Sequence, residues 1–118
     1  MFAKGTQLAQ IRLGTATAAT AFSATLHTEV TSIWICNTTS TAAKFGIFHD
    51  QDGTTFDQTT ALHYQQTIAG NTTVRFEYNS QGAGVALIPS AALGIETDTA
   101  SALTFSVYGI TEDLAPLR

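Results

Sequence analysis

Short runs in which every second residue is apolar recur along the chain, and they constrain its fold more than any other feature. The clearest is residues 74–79, Val-Arg-Phe-Glu-Tyr-Asn, whose apolar side chains would share one face of a β-strand. Clusters of Gly, Asn, Asp and Thr separate the runs, and no long stretch has the apolar spacing of an amphipathic helix. The pattern predicts an all-β protein.

The number of these runs predicts the architecture. About eight of them fit into 118 residues, a length that suits a single domain. Short, evenly spaced strands are typical of two sheets packed face to face. We therefore predict a single-domain antiparallel β-sandwich of about eight short strands, with a jelly roll as one candidate topology. The turn-forming Asn-Thr-Thr-Ser segment at 37–40 predicts a hairpin between the strands on either side of it.

The ends of the chain differ from its middle. Residues 14–29 are mostly Ala, Thr, Ser and Gly, with few long side chains to anchor a core. We therefore expect an N-terminal strand and extended arm at 1–21, the β-sandwich at 22–113 and a C-terminal tail at 114–118.

The run Thr-Ser-Ile-Trp-Ile-Cys at 31–36 is apolar on both faces. In a strand, Ile33 and Ile35 point one way, while Trp34 and Cys36 point the other. If the isoleucines face the core, the opposite face needs a cover. We expect either the N-terminal arm or a neighbouring subunit to supply it.

Charge is scarce along the chain. Charged residues make up 12% of it, about half the usual share, and its net charge is −4. The five basic residues are scattered, so no patch follows a phosphate backbone and we expect no nucleic-acid partner. No apolar run is long enough to span a membrane, and the single cysteine fits a reducing compartment. A surface so poor in charge favours one that is covered in an assembly over the alternative, a monomer with a neutral, Thr-rich β surface.

Acidic residues and histidines were considered as catalytic or metal sites. Asp50-Gln51-Asp52-Gly53 lacks the further ligands of a calcium loop and is better explained as a turn. The histidines, His27, His49 and His63, do not have metal-ligand spacing, and no nucleophile elbow is present. We predict no catalytic residues, no metal and no cofactor, and an enzyme is the weakest class.

Three aromatic residues lie on the less obvious strand faces: Trp34, Phe48 and Tyr108. Such residues are core side chains, anchors of a subunit interface or a stacking platform for sugars, in that order of preference. As candidate functional residues, we predict all three to be interface contacts.

Several phrases resemble the small β-sandwich structural proteins of tailed bacteriophages. They are VTSIWICNTTSTAAKFGIFHDQDGT, ALHYQQTIAGNTTVRFEY and LGIETDTASALTFSVYGITED. Shared features are a strand ending in Cys-Asn-Thr, an Asp-Gly-Thr loop, an Ile-Ala-Gly-Asn-Thr-Thr turn and a closing Tyr-Gly-Ile-Thr-Glu. The resemblance covers about the last three-quarters of the chain. It implies a virion component that assembles, often as trimers or rings, without catalysis.

The predicted function is that of a bacteriophage virion structural protein, most specifically a capsid decoration (cement) protein. It would form a homo-oligomer, expected to be a trimer, contact the major capsid protein or other virion proteins, and stabilise the head from outside. The alternative is a tail, fibre or baseplate component that binds host surface glycans through the loop at 49–60. In either case the expected location is the virion.

Overall fold

The computed structural model describes residues 5–78 and 85–112, and all of the regular structure in them is β. The strands are β1 (Gly5–Arg12), β2 (Ala18–Ser23), β3 (Thr28–Asn37), β4 (Ala43–Asp50), β5 (Ala61–Ile68), β6 (Thr73–Glu77), β7 (Val85–Leu87), β8 (Ala92–Thr97) and β9 (Leu103–Thr111). Residues 79–84 and the expected C-terminal tail at 114–118 lie outside the described residues.

The strands form two antiparallel sheets. Sheet A has the order β1-β9-β3-β6, with the short β7 also paired to β3, and sheet B has the order β2-β8-β4-β5. The pairings are nested: β1 with β9, β2 with β8, β3 with β6 and β7, and β4 with β5. This arrangement is one long antiparallel hairpin rolled into two layers, which is a jelly roll. The predicted β-sandwich is confirmed.

The core lies between the sheets and follows from the period of two along each strand. Ile33 and Ile35 of β3 face inwards from sheet A, and Phe45 and Ile47 of β4 face inwards from sheet B. All four are almost completely buried. Leu93 of β8 is also in this core. Apolar surface removed from water on two facing sheets is the main stabilising term of such a fold.

The predicted hairpin over residues 37–40 is wrong. β3 lies in sheet A and β4 in sheet B, so the segment crosses between layers. Both strands carry an apolar inner face, and each covers the other across the core. The buried amide of Asn37 fixes the crossing: its Nδ2 donates to the carbonyls of Thr41 (2.9 Å) and Ile68 (3.2 Å).

The N-terminal segment also differs from the expected arm. β1 pairs with β9 and β2 pairs with β8, so residues 5–12 and 18–23 belong to the two sheets. The expected boundary at residue 22 falls inside β2. Small side chains do not prevent this strand from packing, because Ala19, Ala21 and Phe22 lie against the core. The N-terminus therefore supplies an edge strand to each layer.

Candidate functional site

The outer face of sheet A is the candidate site. It is built by alternate residues of strands β1, β9, β3 and β6. The pairing places these side chains on it: Gln7, Gln10 and Arg12 from β1; Thr104, Ser106 and Tyr108 from β9; Ser32, Trp34 and Cys36 from β3; Thr73, Arg75 and Glu77 from β6. Of these twelve, three are charged, and Glu29 of β3, paired with Ile110 of β9, lies on the same face. The face is therefore mostly neutral and hydroxyl-rich.

Trp34 lies near the middle of this face and is 40% exposed. It is paired with Arg75 of β6, whose guanidinium carbon lies 4.9 Å from the centre of the indole ring. Such a distance gives a cation–π contact. Arg75 also forms an ion pair with Glu77, with 3.4 Å between Nη2 and Oε2. The arginine therefore lies over an indole ring that solvent still reaches.

The far side of the same face is held by hydrogen bonds between β1 and β9. Gln7 Nε2 donates to the Tyr108 hydroxyl at 3.4 Å. Arg12 donates to Thr38 Oγ1 at 2.8 Å, to Thr104 Oγ1 at 3.3 Å and to the carbonyl of Ser101. Arg12 is therefore tied to the protein itself. Tyr108, which is half-buried, remains a candidate contact beside Trp34.

Phe48 does not lie on a contact surface, which corrects its prediction as an interface residue. It is fully buried on the outer side of sheet B, where the loop at 51–60 covers it. Phe56 of this loop lies 6.2 Å from Phe48 and Tyr64 lies 6.5 Å from it, measured between ring centres. Glycine at position 94 makes room for the Phe56 ring. The exposed aromatic on this side is Tyr64.

The Asp50–Gly53 segment forms the predicted turn. The Gly53 N–H donates to the Asp50 carbonyl at 3.1 Å, and Gly53 has the positive φ that such turns favour. The Asp50 carboxylate accepts N–H bonds from Thr55 (2.6 Å) and Thr54 (2.8 Å). These bonds stabilise the ionised form, so they lower the pKa of Asp50 below 3.8. The Asp50 carboxylate is thus bonded within its own loop.

The histidines are not brought together as a catalytic group. His63 points inwards from β5, stacks on Phe76 with 3.9 Å between ring centres, and has Nε2 3.0 Å from the Tyr78 hydroxyl. Burial raises the pKa of Tyr78 to about 12. His49 lies at the end of β4 and His27 just before β3. The His63–Phe76 stack closes the side of the sandwich between β5 and β6.

Glu96 and Asp98 lie beside one cleft of about 410 Å³. Lys44 lines the same cleft, and its backbone N–H donates to Asp98 Oδ1 at 2.8 Å. Asp98 Oδ1 also accepts from the Thr99 hydroxyl at 2.9 Å. The Asp98 carboxylate therefore stabilises the turn after β8.

Residues 5–78 and 85–112 contain no group of three or more His, Cys, Asp or Glu side chains that could hold a metal ion. The same residues contain no helix that is long and apolar enough to cross a membrane.

Comparison with known proteins gives matches by structure. No protein-family model and no curated protein sequence matches the chain. A chain of the T13 IBDV viral particle is 15% identical, with a TM-score of 0.52 over 93% of this chain and 31% of that chain. A chain of infectious bursal disease virus strain Gx is 14% identical, with a TM-score of 0.52 over 93% and 32%. The likeness is one of fold.

A third structure is the tobacco streak virus coat protein dimer, at 12% identity and a TM-score of 0.43, covering 98% of this chain and 90% of that chain. This chain spans about a third of the length of the two IBDV chains.

The less obvious strand faces, to which the sequence assigns Trp34 and Tyr108, form the outer side of sheet A. Sequence reasoning missed the contribution of Arg75 and Glu77, which were interpreted as the polar side of an ordinary strand. The signal was present in the alternation of β6, but the pairing of β6 with the Trp34 strand was needed to place them beside the indole.

Proposed function

We propose that this protein is a virion structural protein and, more specifically, a capsid decoration protein of a tailed bacteriophage. It would lie on the outside of the phage head as a homo-oligomer, with a trimer as the sequence-based expectation. Its partners would be further copies of itself and the major capsid protein or other virion proteins. It would stabilise the head by bridging neighbouring subunits.

The observation that carries the proposal is the outer face of sheet A. Its side chains are mostly neutral, and Trp34 is 40% exposed near its centre. Tryptophan, tyrosine and arginine are enriched at the centre of protein interfaces, and Arg75 lies against Trp34 on this face. Trp34 and Tyr108 are the proposed contact residues.

The fold likeness supports the same class of function. The two structures with a TM-score of 0.52 are chains of a virus particle. A jelly roll suits a load-bearing role because its sheets are rigid and their hydrogen bonds are distributed over many strands. Pressure from packaged DNA would then be resisted by apolar and hydroxyl-rich surface buried across the joints between capsid subunits.

The test uses particles of the encoding phage made with and without this gene. Particles that lack the protein should lose DNA at a lower temperature than complete particles. When the salt concentration is lowered, they should also lose DNA earlier, at a salt concentration that complete particles still withstand. Adsorption to the host should stay normal. Adding the purified protein should restore resistance. Unchanged particle stability together with lost adsorption would contradict the proposal.

Add-back of variants locates the contact face. Trp34→Ala should bind the depleted particles more weakly, because it removes the exposed anchor of sheet A. Leu62→Ala is the matched control, since Leu62 is similarly exposed (43%) but lies on sheet B. Equal loss of binding in both variants would argue against sheet A as the contact face.

A tail, fibre or baseplate component that binds glycans is the second candidate. The exposed rings of Trp34 and Tyr64 favour it, because aromatic faces stack on sugars. The Arg75 guanidinium lies over the Trp34 ring, however, and Asp50 is already bonded within its loop. A glycan array with hits that vanish in Trp34→Ala would favour this candidate over decoration.

A further inference from the structure

Strand β6 differs from the other edge strands of the sandwich. Sheet A ends in β1 on one side and in β6 and the three-residue β7 on the other, and sheet B ends in β2 and β5. The pairings of β1, β2 and β5 each contain a register shift, whereas β6 and β7 pair with β3 without one, and β6 is the longer of these two strands. Bulges at an edge hinder the addition of another strand. Within the described residues, β6 is therefore the edge best suited to pair with another chain.

The free backbone groups of β6 can be identified from its bonds to β3. Thr72 accepts from the Asn37 N–H at 2.9 Å, and Tyr78 donates to the Thr31 carbonyl at 2.8 Å. In an antiparallel pair, the N–H and carbonyl groups of every second residue point towards the partner strand, and those of the residues between point away from it. The even-numbered residues of β6 therefore bond to β3. The N–H and carbonyl groups of Thr73, Arg75 and Glu77 point away from the sheet.

We infer that β6 pairs with β6 of a second copy of this chain, antiparallel about a two-fold axis at Phe76. Arg75 of each copy then lies directly opposite Glu77 of the other. Their outward N–H and carbonyl groups form a hydrogen-bonded pair on each side of the axis, and the oppositely charged side chains meet on the outer face. The two copies of sheet A become one continuous sheet.

Charge specifies this register. A shift of two residues in one direction places Arg75 opposite Arg75, and a shift in the other direction places Glu77 opposite Glu77. Like charges directly opposite each other are destabilising. A shift of one residue would place residues whose N–H and carbonyl groups already bond to β3 opposite Arg75 and Glu77. The two-fold register is thus the one that satisfies both the backbone and the charges.

The side chains are free to make this contact. Arg75 and Glu77 are 48% and 65% exposed, and their ion pair within one chain leaves room for a second. On the inner face, the half-buried Val74 and Phe76 would be further covered by the second copy. Because β6 has five residues, the pair should be weak and its formation should depend on protein concentration.

The inference specifies the self-association included in the proposed function, and it replaces the expected trimer with a two-fold dimer. It does not depend on a virion role, since it concerns the purified chain. A monomer in solution would overturn the pairing, whereas loss of the virion role would appear in the particle experiment.

Sedimentation velocity over a range of protein concentrations tests the pairing. The wild-type chain should form a dimer that weakens as salt is raised, because salt screens the exposed charges. Arg75→Glu and Glu77→Arg should each weaken dimerisation by about tenfold or more, since each replaces attraction by repulsion at both charge pairs. Lys44→Glu, which makes the same charge change as Arg75→Glu on sheet B, should leave the dimer unchanged.

Two further samples separate charge pairing from damage to the fold. An equal mixture of the Arg75→Glu and Glu77→Arg chains should form a heterodimer, because opposite charges again face each other. The double variant R75E/E77R should recover the homodimer. A wild-type monomer or trimer, a dimer unaffected by either single exchange, or a mixture and double variant that fail to associate would each overturn the inference.

Discussion

Gly94 is the residue on which the outer side of sheet B depends. A Cβ placed at Gly94 would lie 2.4 Å from Cδ1 of Phe56, far inside van der Waals contact. The ring of Phe56 can therefore cover Phe48 because position 94 has no side chain. This dependence joins a strand to a loop almost forty residues away in the sequence.

Gly94→Ala should destabilise the protein by about 1–3 kcal/mol, the usual effect of overpacking. Chemical denaturation followed by circular dichroism measures the change in unfolding free energy. Gly5→Ala is the control, because a Cβ there would have no neighbour within 4 Å. Similar stability in the two variants would contradict the packing described here. In a Phe56→Ala background, Gly94→Ala should lower the unfolding free energy by less, because the ring that the new Cβ would meet is gone.

Tyr78 predicts an alkaline limit to stability. Burial raises its pKa from 10.0 to about 12 in the folded state, so the neutral phenol is favoured by folding. This contribution is fully present below pH 10 and is lost as the pH rises through 12.

Comparison with Tyr78→Phe isolates this hydroxyl group. The variant lacks the contact with His63 and also lacks the titration. The difference in unfolding free energy between wild type and variant should shrink as the pH rises from 10 to 12. A difference that stays constant across this interval would show that Tyr78 ionises equally in both states.

At the scale of elements, the loop at 51–60 is organised by the carboxylate of Asp50. Thr54 and Thr55 donate their N–H groups to it, and the His49 N–H donates to the Thr60 carbonyl at 2.9 Å to close the base of the loop. Because these bonds lower the pKa of Asp50, their contribution is present above pH 3.8 and is lost as the pH falls below it.

Asp50→Asn should therefore loosen the loop while leaving the sheets intact, because an amide accepts these N–H bonds less strongly than a carboxylate. Amide hydrogen exchange at Thr54 and Thr55 should become faster. Asp52→Asn is the matched control, since Asp52 enters the network through its backbone N–H. Unchanged exchange in Asp50→Asn would contradict the role given to its carboxylate.

Strand periodicity predicted the elements better than their partners. Strands β3, β4, β6 and β9 are visible in the sequence because large apolar side chains alternate in them. Periodicity indicates which side chains share a face, but it does not indicate which strand lies alongside. For this reason the turn composition at 37–40 predicted a hairpin where the chain crosses between sheets. β2 was hidden because its inward residues include small alanines.

The candidate site was predictable to a similar degree. The two-faced pattern at 31–36 placed Trp34 on the side away from the core, and the structure leaves that indole exposed. The same logic failed for Phe48, because its cover comes from a distant loop residue rather than from a neighbouring subunit. The expected N-terminal cover for Trp34 is also absent from the described residues, since β1 is an edge strand separated from β3 by β9.

At the scale of the whole molecule, low charge and an exposed sheet face point to assembly. The chain is 12% charged, and the outer face of sheet A places an exposed tryptophan among mostly neutral side chains. The free edge of the same sheet carries complementary charges. Both features belong to sheet A, so the proposed self-pairing and the proposed capsid contact would use the edge and the outer face of one sheet.

The copy number of the protein in purified phage particles tests the central claim most directly. Quantitative mass spectrometry can measure it relative to the major capsid protein in the same particles. A decoration protein should be present at a number comparable to that of the major capsid protein, in proportion to the capsid lattice. Absence from the particles, or a number that matches tail components instead, would contradict the account.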